Sequence, residues 1–251
     1  MWENDNINRF SNSSLVALIE NRIPAVRIKS FAKAHEIDTL VTGLLEYACR
    51  TSSIEQVTRL GISQYEQGIR ASKDNYFKLA RHHAPQFAQL YARSFSPVQR
   101  LINQLETKGF NAGTMSEPGM GKYFAGNGKL RIGYSPIHVD FAPQDSANWA
   151  IAEASAQLAW NLYLRVPPEG GELLLWDKQW QPEDDRHQID DNYFYDDAVV
   201  HDARMVRVSV TPGEVIIINS RNFHAVSKAR DRLAFGSFIS VFEGNRLRLW
   251  S

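Results

Sequence analysis

The sequence is poor in cysteine, has no long hydrophobic run and carries no excess of charge of either sign. A single cysteine, Cys49, among 251 residues excludes an intrachain disulfide and fits a reducing compartment. The longest apolar stretches, such as residues 215–218, are far shorter than the roughly 20 residues of a membrane helix. Met1 is not followed by the basic and then apolar segments of a secretory signal. We therefore expect a cytoplasmic protein with no membrane partner.

The 28 basic residues balance the 28 acidic ones, so no global field would attract nucleic acid. Hydrophobic residues make up 43% and charged residues 22%, which is typical of a globular protein with a sizeable core. These totals predict one large domain over residues 1–251, or at most two small ones, without a nucleic-acid partner. They leave the oligomeric state open.

After a short strand predicted over residues 23–29, helical spacing dominates the first half of the chain, residues 1–125. Apolar side chains recur on one helical face over residues 34–49. A second helical region is predicted over residues 75–108. We expect it to break near Pro85 and Pro97, because proline removes a backbone hydrogen-bond donor.

The pattern changes to strands in residues 126–251. Strand-like runs separated by proline- and glycine-rich turns occupy residues 130–134, 157–166, 172–176, 205–210, 214–219 and 233–242. A series of strands without crossover helices favours an antiparallel sandwich or barrel. Residues 177–203 interrupt this series with nine acidic residues, and this inserted loop is either a lid or a solvated surface excursion.

The sharpest local feature is Ile137-His138-Val139-Asp140. Side chains two residues apart on a strand project from the same face, so this imidazole and carboxylate can meet at one point. His224, which follows the strand at 214–219 and a tight turn, is the best candidate for a third ligand. Two histidines and one carboxylate leave three coordination positions open, an arrangement that suits non-haem iron(II).

Structural histidines are common, and spacing alone leaves that interpretation open for His224. A lone His-x-Asp pair is also a weak signal. The remaining histidines have no neighbours that suggest a ligand, and they are His35, His82, His83, His187 and His201. The adjacent pair His82-His83 lies in a polar helical stretch and is interpreted as solvated.

Arg232 strengthens the case for a metal site. His224 and Arg232 are equidistant from Lys228, so a hairpin closing around residues 227–229 would place them opposite each other on neighbouring strands. An inward-facing arginine is costly unless it meets an anion, and its planar fork suits a carboxylate. Arg230 competes for this role, although an exposed turn position explains it more simply.

At these residues the sequence resembles the iron(II)/2-oxoglutarate-dependent oxygenases. The matching features are His138-x-Asp140, the Gly170-Gly171-Glu172 turn, Pro212-Gly213 before an apolar strand, His224, and Arg232 eight residues later. More narrowly, the chain is similar to freestanding amino-acid hydroxylases and aliphatic halogenases, through residues 166–173, 180–184 and 248–251.

The resemblance implies an α+β fold, a double-stranded β-helix (jelly-roll, cupin-like) core with N-terminal helices packed on the sheet. It implies that His138, Asp140 and His224 bind Fe(II), and that 2-oxoglutarate chelates this iron while its distal carboxylate meets Arg232. With O2 as the other co-substrate, succinate and CO2 are released. Tyr163 falls where relatives have a second partner for that carboxylate, although its position between two leucines also fits a core aromatic.

One position separates two chemistries among the relatives. Halogenating relatives have glycine or alanine where this chain has Asp140, and a halide takes the vacated place. Asp140 fills that place and adds a negative charge. The resemblance therefore implies hydroxylation, and leaves desaturation or another oxidation open.

The substrate is expected to be a free or simply modified amino acid. Polar candidates for lining its site are Gln64, Tyr65, Glu66 and Arg70 in the irregular stretch 63–72, with Arg131 and Trp250 as further candidates. By resemblance, this stretch and the C-terminal tail close over the pocket. Glu66 and Arg70 are otherwise an exposed pair at helical spacing.

Three other functions stay open. An oxidase of the same mechanism acting on a nucleotide or an alkaloid needs only a different pocket. A zinc hydrolase or lyase would use the same three ligands but has no use for Arg232. A non-catalytic ligand-binding β-sandwich would leave the co-occurrence of His138, Asp140, His224 and Arg232 to chance.

Overall fold

The apolar periodicity of the first half forms helices in the computed structural model, which describes residues 1–51, 57–69, 71–189 and 193–251. The helices are α1 (Asn12–Ile19), α2 (Ala34–Thr51), α3 (Lys73–Ala92), α4 (Pro97–Thr107) and the short α5 (Ala142–Asp145). Ser11, Ser72 and Ser96 cap α1, α3 and α4 by accepting a hydrogen bond from a backbone amide of the first turn. None of the helices in these ranges is long and apolar enough to cross a membrane.

Helix α3 runs through Pro85, so the predicted break at this residue is wrong. Proline removes one hydrogen bond from a helix interior. The helix persists because its apolar face is buried on both sides of Pro85, by Phe77 before it and Phe87 after it. The break predicted near Pro97 is confirmed, since α4 begins there.

Strands overlap all of the predicted runs, and the largest change is that the run at 233–242 is part of a longer strand beginning at Asn222. They are β1 (Ile7–Arg9), β2 (Ala25–Ile28), β3 (Val57–Leu60), β4 (Asn111–Thr114), β5 (Ser116–Glu117), β6 (Gly121–Lys122), β7 (Asn127–His138), β8 (Ala156–Arg165), β9 (Leu173–Gln179), β10 (Met205–Val208), β11 (Val215–Asn219), β12 (Asn222–Phe242) and β13 (Arg246–Trp250). The strand predicted over residues 23–29 is confirmed as β2. The mainly helical prediction for the rest of residues 1–125 missed β1 and β3 to β6, and β1, β3 and β4 join β2 in the main sheet.

The long strand β12 organises the main sheet, which is mostly antiparallel. On one edge, β12 pairs with β9 along its first part and with β8 along its second part. On the other edge it pairs with β7 and then with β13. Because one strand serves both parts, the sheet folds over on itself as a double-stranded β-helix. The predicted α+β jelly-roll fold is confirmed.

The predicted hairpin between His224 and Arg232 is wrong. Both residues lie on the uninterrupted strand β12, and both lie opposite residues of β7. The small turn-like residues around Lys228 mark irregularities of pairing instead, since the register shifts between Val226 and Ala229 and again before Arg232. Bulges of this kind bend a strand without ending it.

The fold has a main apolar core, where helices pack on the sheet, and a smaller apolar core inside the jelly roll. Helices α2, α3 and α4 pack on one face of the sheet in the main core, which includes Trp160, Ile217 and Phe235. A smaller core lies between the two layers of the jelly roll and contains Tyr163 and Ala234. The helices therefore support the sheet from outside, while its interior faces the candidate site.

The acidic insertion, predicted over residues 177–203, begins later than expected. Strand β9 continues to Gln179, and the 3-10 helices Pro182–His187 and Asp197–Val200 follow it. Residues 190–192 lie outside the described residues.

Apolar side chains anchor this insertion on the sheet. Trp180, Tyr195 and Val199 pack with Phe223 of β12 in a third apolar cluster. The solvated excursion considered from the sequence does not fit these contacts. The described part of the insertion is a packed cover over one end of the sheet.

A bidentate ion pair joins α2 to α4. Arg100 donates two hydrogen bonds to Glu36, from Nη1 to Oε2 at 2.9 Å and from Nη2 to Oε1 at 2.6 Å, and the Glu36 side chain is only 14% exposed. The bond from Arg100, helped by the backbone amide of Lys33, lowers the pKa of Glu36 to about 2. A carboxyl with a lower pKa in the folded state stabilises the fold above its unfolded pKa, and this contribution is lost as the pH falls.

We expect Glu36→Gln to lower the free energy of unfolding at neutral pH by roughly 1–3 kcal/mol. The difference from the wild type should shrink as the pH falls from about 4.5 to about 2. Denaturant titrations of both proteins across this range measure it. Glu46→Gln, which breaks an exposed ion pair with Arg93, is the control and should cost less than about 1 kcal/mol. A difference that stays constant with pH would contradict this account.

Candidate active site

Strands β7 and β12 bring two of the predicted ligands together. His138, the last residue of β7, pairs directly with His224 of β12, and their ring centroids are 4.2 Å apart. The Nδ1 of His138 lies 2.8 Å from the carbonyl oxygen of Pro136, and the Nδ1 of His224 lies 2.8 Å from that of Asn222. A carbonyl oxygen only accepts, so each Nδ1 donates. In the neutral imidazole, each Nε2 then carries a lone pair for a cation.

Asp140 lies just beyond the end of β7, so strand geometry alone does not position it. Its backbone carbonyl accepts hydrogen bonds from Gln157 Nε2 at 3.0 Å and from Ser220 Oγ at 2.8 Å, and both of these side chains are buried. Its Oδ2 lies 3.3 Å from His224 Nε2. Burial raises the pKa of Asp140, but when the two histidines are protonated, a bond from His224 and the charge of His138 lower it well below its ordinary value.

These three side chains meet the requirements of a transition-metal site. Their ligand atoms all lie within 4.8 Å of one another, and in the described ranges this is the group of histidine and carboxylate side chains that could hold a metal. Two imidazole nitrogens and one carboxylate oxygen suit iron(II) and leave positions for other ligands. Zinc accepts the same donors, so the ligands alone do not choose between the two metals.

Other histidines do not join this group. His82 is exposed as predicted, whereas its neighbour His83 is not simply solvated, because its Nδ1 lies 2.7 Å from the hydroxyl of Tyr47. His35 and His201 are exposed as well.

Arg232 lies inside the jelly roll, and the competing Arg230 is exposed. Arg232 is 4% exposed, and its guanidinium carbon lies 5.0 Å from the centre of the Tyr163 ring. Its Nε is buried without a hydrogen-bond partner, and no carboxylate of the described residues pairs with it. A buried guanidinium without a counter-charge is costly, so this position indicates an anionic ligand.

Tyr163 fits both interpretations that the sequence left open. It is fully buried in the interior core, yet its hydroxyl also lacks a hydrogen-bond partner. Burial raises the pKa of Tyr163, and the nearby charge of Arg232 offsets this effect only in part. The phenol therefore stays neutral and can donate a hydrogen bond. A purely structural tyrosine would leave this hydroxyl unsatisfied at a cost.

The glycine turn named in the sequence lies against the strand that carries Arg232. Gly170 and Gly171 both have positive φ, 75° and 73°. A Cβ on Gly170 would lie 1.8 Å from the carbonyl oxygen of Lys228, and a Cβ on Gly171 would lie 3.2 Å from Arg232 Cδ. Only glycine allows this close approach, which confines the stem of Arg232.

A cavity of about 30 Å³ is lined by Asp140, and a second cavity of about 130 Å³ shares Tyr65, Asp145 and Tyr193 with it. Tyr65 lines both of them, and Gln64 and Trp250 line the first, as predicted. Glu66 does not line either cavity, since it is exposed and its carboxylate lies 3.0 Å from Arg59 Nε.

The remaining substrate candidates lie outside the described residues. They are Arg70 and the side chain of Arg131. The stretch 63–72, predicted as a loop, contains a π-helix at Tyr65–Ile69. Its single turn brings Tyr65 to the cavities.

Sequence reasoning missed two residues of this site. Tyr193, from the acidic insertion, packs against both Tyr65 and His138, with ring centroids 5.3 Å apart in each pair. Asp145, at the end of α5, lines both cavities. The aromatic run 193–195 within an acidic segment was an available signal for the first. Nothing in the sequence distinguishes Asp145 from the other aspartates.

Comparisons with known sequences agree with this geometry. Residues 5–251 match the family described as carrier-protein-independent halogenase WelO5. The chain is 30% identical over 209 residues to the leucinostatins biosynthesis cluster protein S of Purpureocillium lilacinum, a match that covers 76% of this chain and 84% of that protein. It is 32% identical over 99 residues to the L-gamma-glutamyl-L-propargylglycine hydroxylase of Streptantibioticus cattleyicolor, covering 38% of this chain and 36% of that protein.

Solved structures share the fold. An N-substituted L-amino acid dioxygenase from Burkholderia ambifaria has a TM-score of 0.64 at 16% identity, covering 96% of this chain and 91% of that one. The carbocyclase SnoK from nogalamycin biosynthesis has a TM-score of 0.53 at 13% identity, covering 93% and 89%. At such identities the likeness establishes the fold alone.

Proposed function

The chain belongs to the carrier-protein-independent halogenase WelO5 family and is a 2-oxoglutarate-dependent dioxygenase, and from this premise we propose that it hydroxylates an unactivated C–H bond of a small molecule. The proposed substrate class is a free or simply modified amino acid. The observation that carries the proposal is the buried Arg232 without an anion, inside the same jelly roll as His138, Asp140 and His224. A zinc hydrolase would leave Arg232 and the unpaired Tyr163 hydroxyl unexplained.

In this proposal each buried polar group has a role. His138, Asp140 and His224 hold the iron, and Arg232 pairs with the distal carboxylate of 2-oxoglutarate while Tyr163 donates a hydrogen bond to it. When bound, iron and 2-oxoglutarate supply the oxidising chemistry, in which O2 is consumed and succinate and CO2 are released.

Further residues position these groups and limit the access of water. Gln157 and Ser220 fix the backbone of Asp140 through their hydrogen bonds to its carbonyl. Tyr193 packs against His138 and Tyr65 and so covers one side of the metal ligands. Excluding bulk water in this way protects a reactive site from side reactions.

Asp140 favours hydroxylation, although the family takes its name from a halogenase. Its carboxylate stands 3.3 Å from His224 Nε2, in the position that a halide would need, and its negative charge opposes a bound halide. The partial likeness to a γ-glutamyl amino-acid hydroxylase supports both the reaction and the substrate class.

Product analysis tests this proposal. The protein would be incubated with Fe(II), 2-oxoglutarate, O2 and excess chloride, together with free, N-acylated and γ-glutamylated amino acids. We expect succinate release coupled to a product that has gained one oxygen atom, with no chlorinated product. Chlorination by the wild-type protein would contradict the proposed reaction. Succinate release with none of these compounds would count against the proposed substrate class.

A further inference from the structure

The cavities beside the candidate metal site contain a carboxylate that the proposed mechanism does not use. Asp145 lines both cavities and shares their walls with Tyr65 and Tyr193. It makes no hydrogen bond or ion pair within the described residues. Its side chain is accessible to solvent, so a ligand entering either cavity can reach it.

Positive charge is lacking around Asp145. The described residues that line the two cavities include no lysine and no arginine. Burial by the surrounding protein raises the pKa of Asp145 to about 6, and the charges of Asp140 and Asp185 add to this effect without any cation opposing them. A bound metal ion would offset the negative charge of Asp140. Asp145 is not one of the three candidate ligands, so the metal would not pair with it directly.

Lys129 is the cation of this chain that has to be considered as a partner for the carboxylate of Asp145. Its charge lowers the pKa of Asp140, and its Nζ lies 5.8 Å from the centre of the Phe238 ring in the wall of the smaller cavity. It has no such effect on Asp145. Asp145 is thus left to face the cavities with its charge unpaired in the described part of the chain.

Aromatic rings complete the surroundings of this carboxylate. The rings of Tyr65 and Tyr193 have centroids 5.3 Å apart, and both residues line the same two cavities as Asp145. A carboxylate and aromatic rings that line the same cavity can both stabilise a protonated amine, the carboxylate through its charge and the rings through their quadrupoles. The carboxylate of Asp145 would repel an anionic group. An acylated nitrogen carries no positive charge and lacks the N–H donors of an ammonium group, so it would bind less tightly than a protonated amine.

We infer that Asp145 binds a protonated amine of the substrate and selects amines over their N-acylated forms. This inference rests on the proposed function and narrows its substrate class to free amino acids and derivatives with an unacylated amine. The carboxylate acts in binding and is not required for the oxidising chemistry.

Matched pairs of ligands and variants test this role. Anaerobic protein carrying Fe(II) and 2-oxoglutarate would be titrated with the common L-amino acids and with the N-acetyl form of each, following the visible band of the chelate as the report of binding. Asp145→Asn keeps the shape of the side chain and removes its charge. Asp197→Asn, an exposed aspartate that lines neither cavity, is the control.

We expect the wild type to bind at least one free amino acid about 10-fold more tightly than its N-acetyl form, or better. Asp145→Asn should lose most of this preference by weakening the binding of the amine alone, and Asp197→Asn should behave as the wild type. Equal binding of amines and N-acetyl forms by the wild type, or an undiminished preference in Asp145→Asn, would overturn the inference. A missing chelate band in the wild type would instead refute the proposed function, and this inference with it.

Discussion

His224→Ala is expected to abolish turnover, lowering 2-oxoglutarate-dependent succinate release on the order of 10³-fold or more. In the proposed site, His224 is one of two imidazoles among three protein ligands within the described residues, and its ring is fixed by the bond from Nδ1 to the carbonyl of Asn222. Alanine leaves one imidazole and one carboxylate, which cannot hold iron against water at micromolar concentrations. The visible band of the iron–2-oxoglutarate chelate should disappear along with activity.

Iron content, the chelate band and succinate release measure this prediction together. His201→Ala is the control, because this histidine is 83% exposed and lies in the acidic insertion. It should keep full iron content. Thermal unfolding should show that His224→Ala remains folded, since only one hydrogen bond is removed. A folded His224→Ala protein that still bound stoichiometric iron and formed the band would exclude His224 as a ligand.

Arg232→Leu is expected to raise the concentration of 2-oxoglutarate needed for half-saturation by roughly 100-fold or more, corresponding to about 3 kcal/mol. The guanidinium is buried beside Tyr163, and no carboxylate in the described part of the chain pairs with it. Leucine fills much of the space but offers no charge to a carboxylate. Iron binding should be little changed, because the three metal ligands remain.

The unfolding temperature of the protein without 2-oxoglutarate gives a second test of the role of Arg232. Removing an unpaired buried charge relieves a desolvation penalty, so Arg232→Leu without 2-oxoglutarate should unfold at the same temperature as the wild type or at a higher one. Adding 2-oxoglutarate with Fe(II) should raise the unfolding temperature of the wild type and not that of the variant at the same concentration. Arg230→Leu is the matched control, since Arg230 is exposed on the same strand. If Arg230→Leu showed the larger loss, the assignment of the two arginines would be reversed.

The fold and the meeting of the three candidate metal ligands could be predicted from the sequence because their signals are local. The runs of strand-forming residues predicted the core strands, and His138-x-Asp140 marked the end of β7. The choice of Arg232 over Arg230 depended on the cost of burying an unpaired charge, and the structure buries the expected one. These predictions needed only the alternation of a strand and the chemistry of single side chains.

Predictions that depended on distant contacts were less successful. The symmetry of His224 and Arg232 about Lys228 suggested a hairpin, but pairing with β7, β8 and β9 keeps β12 as one strand. No sequence rule places Tyr193 against His138, because the insertion reaches the site only after Trp180 and Tyr195 pack on the sheet. Burial of the face around Pro85 likewise overrides the local preference for a helix break.

Since His224 and Arg232 share one strand, the distance between the candidate metal ligand and the buried guanidinium is set by a single chain segment, including its register shifts near Val226 and Ala229. If the two residues bind opposite ends of 2-oxoglutarate as proposed, this segment would also set the length of the dicarboxylate that fits between them. The two residues are eight positions apart and both are buried, with the register shifts lying between them. Deleting one residue between them would therefore change both the distance from His224 to Arg232 and the direction in which the Arg232 side chain points.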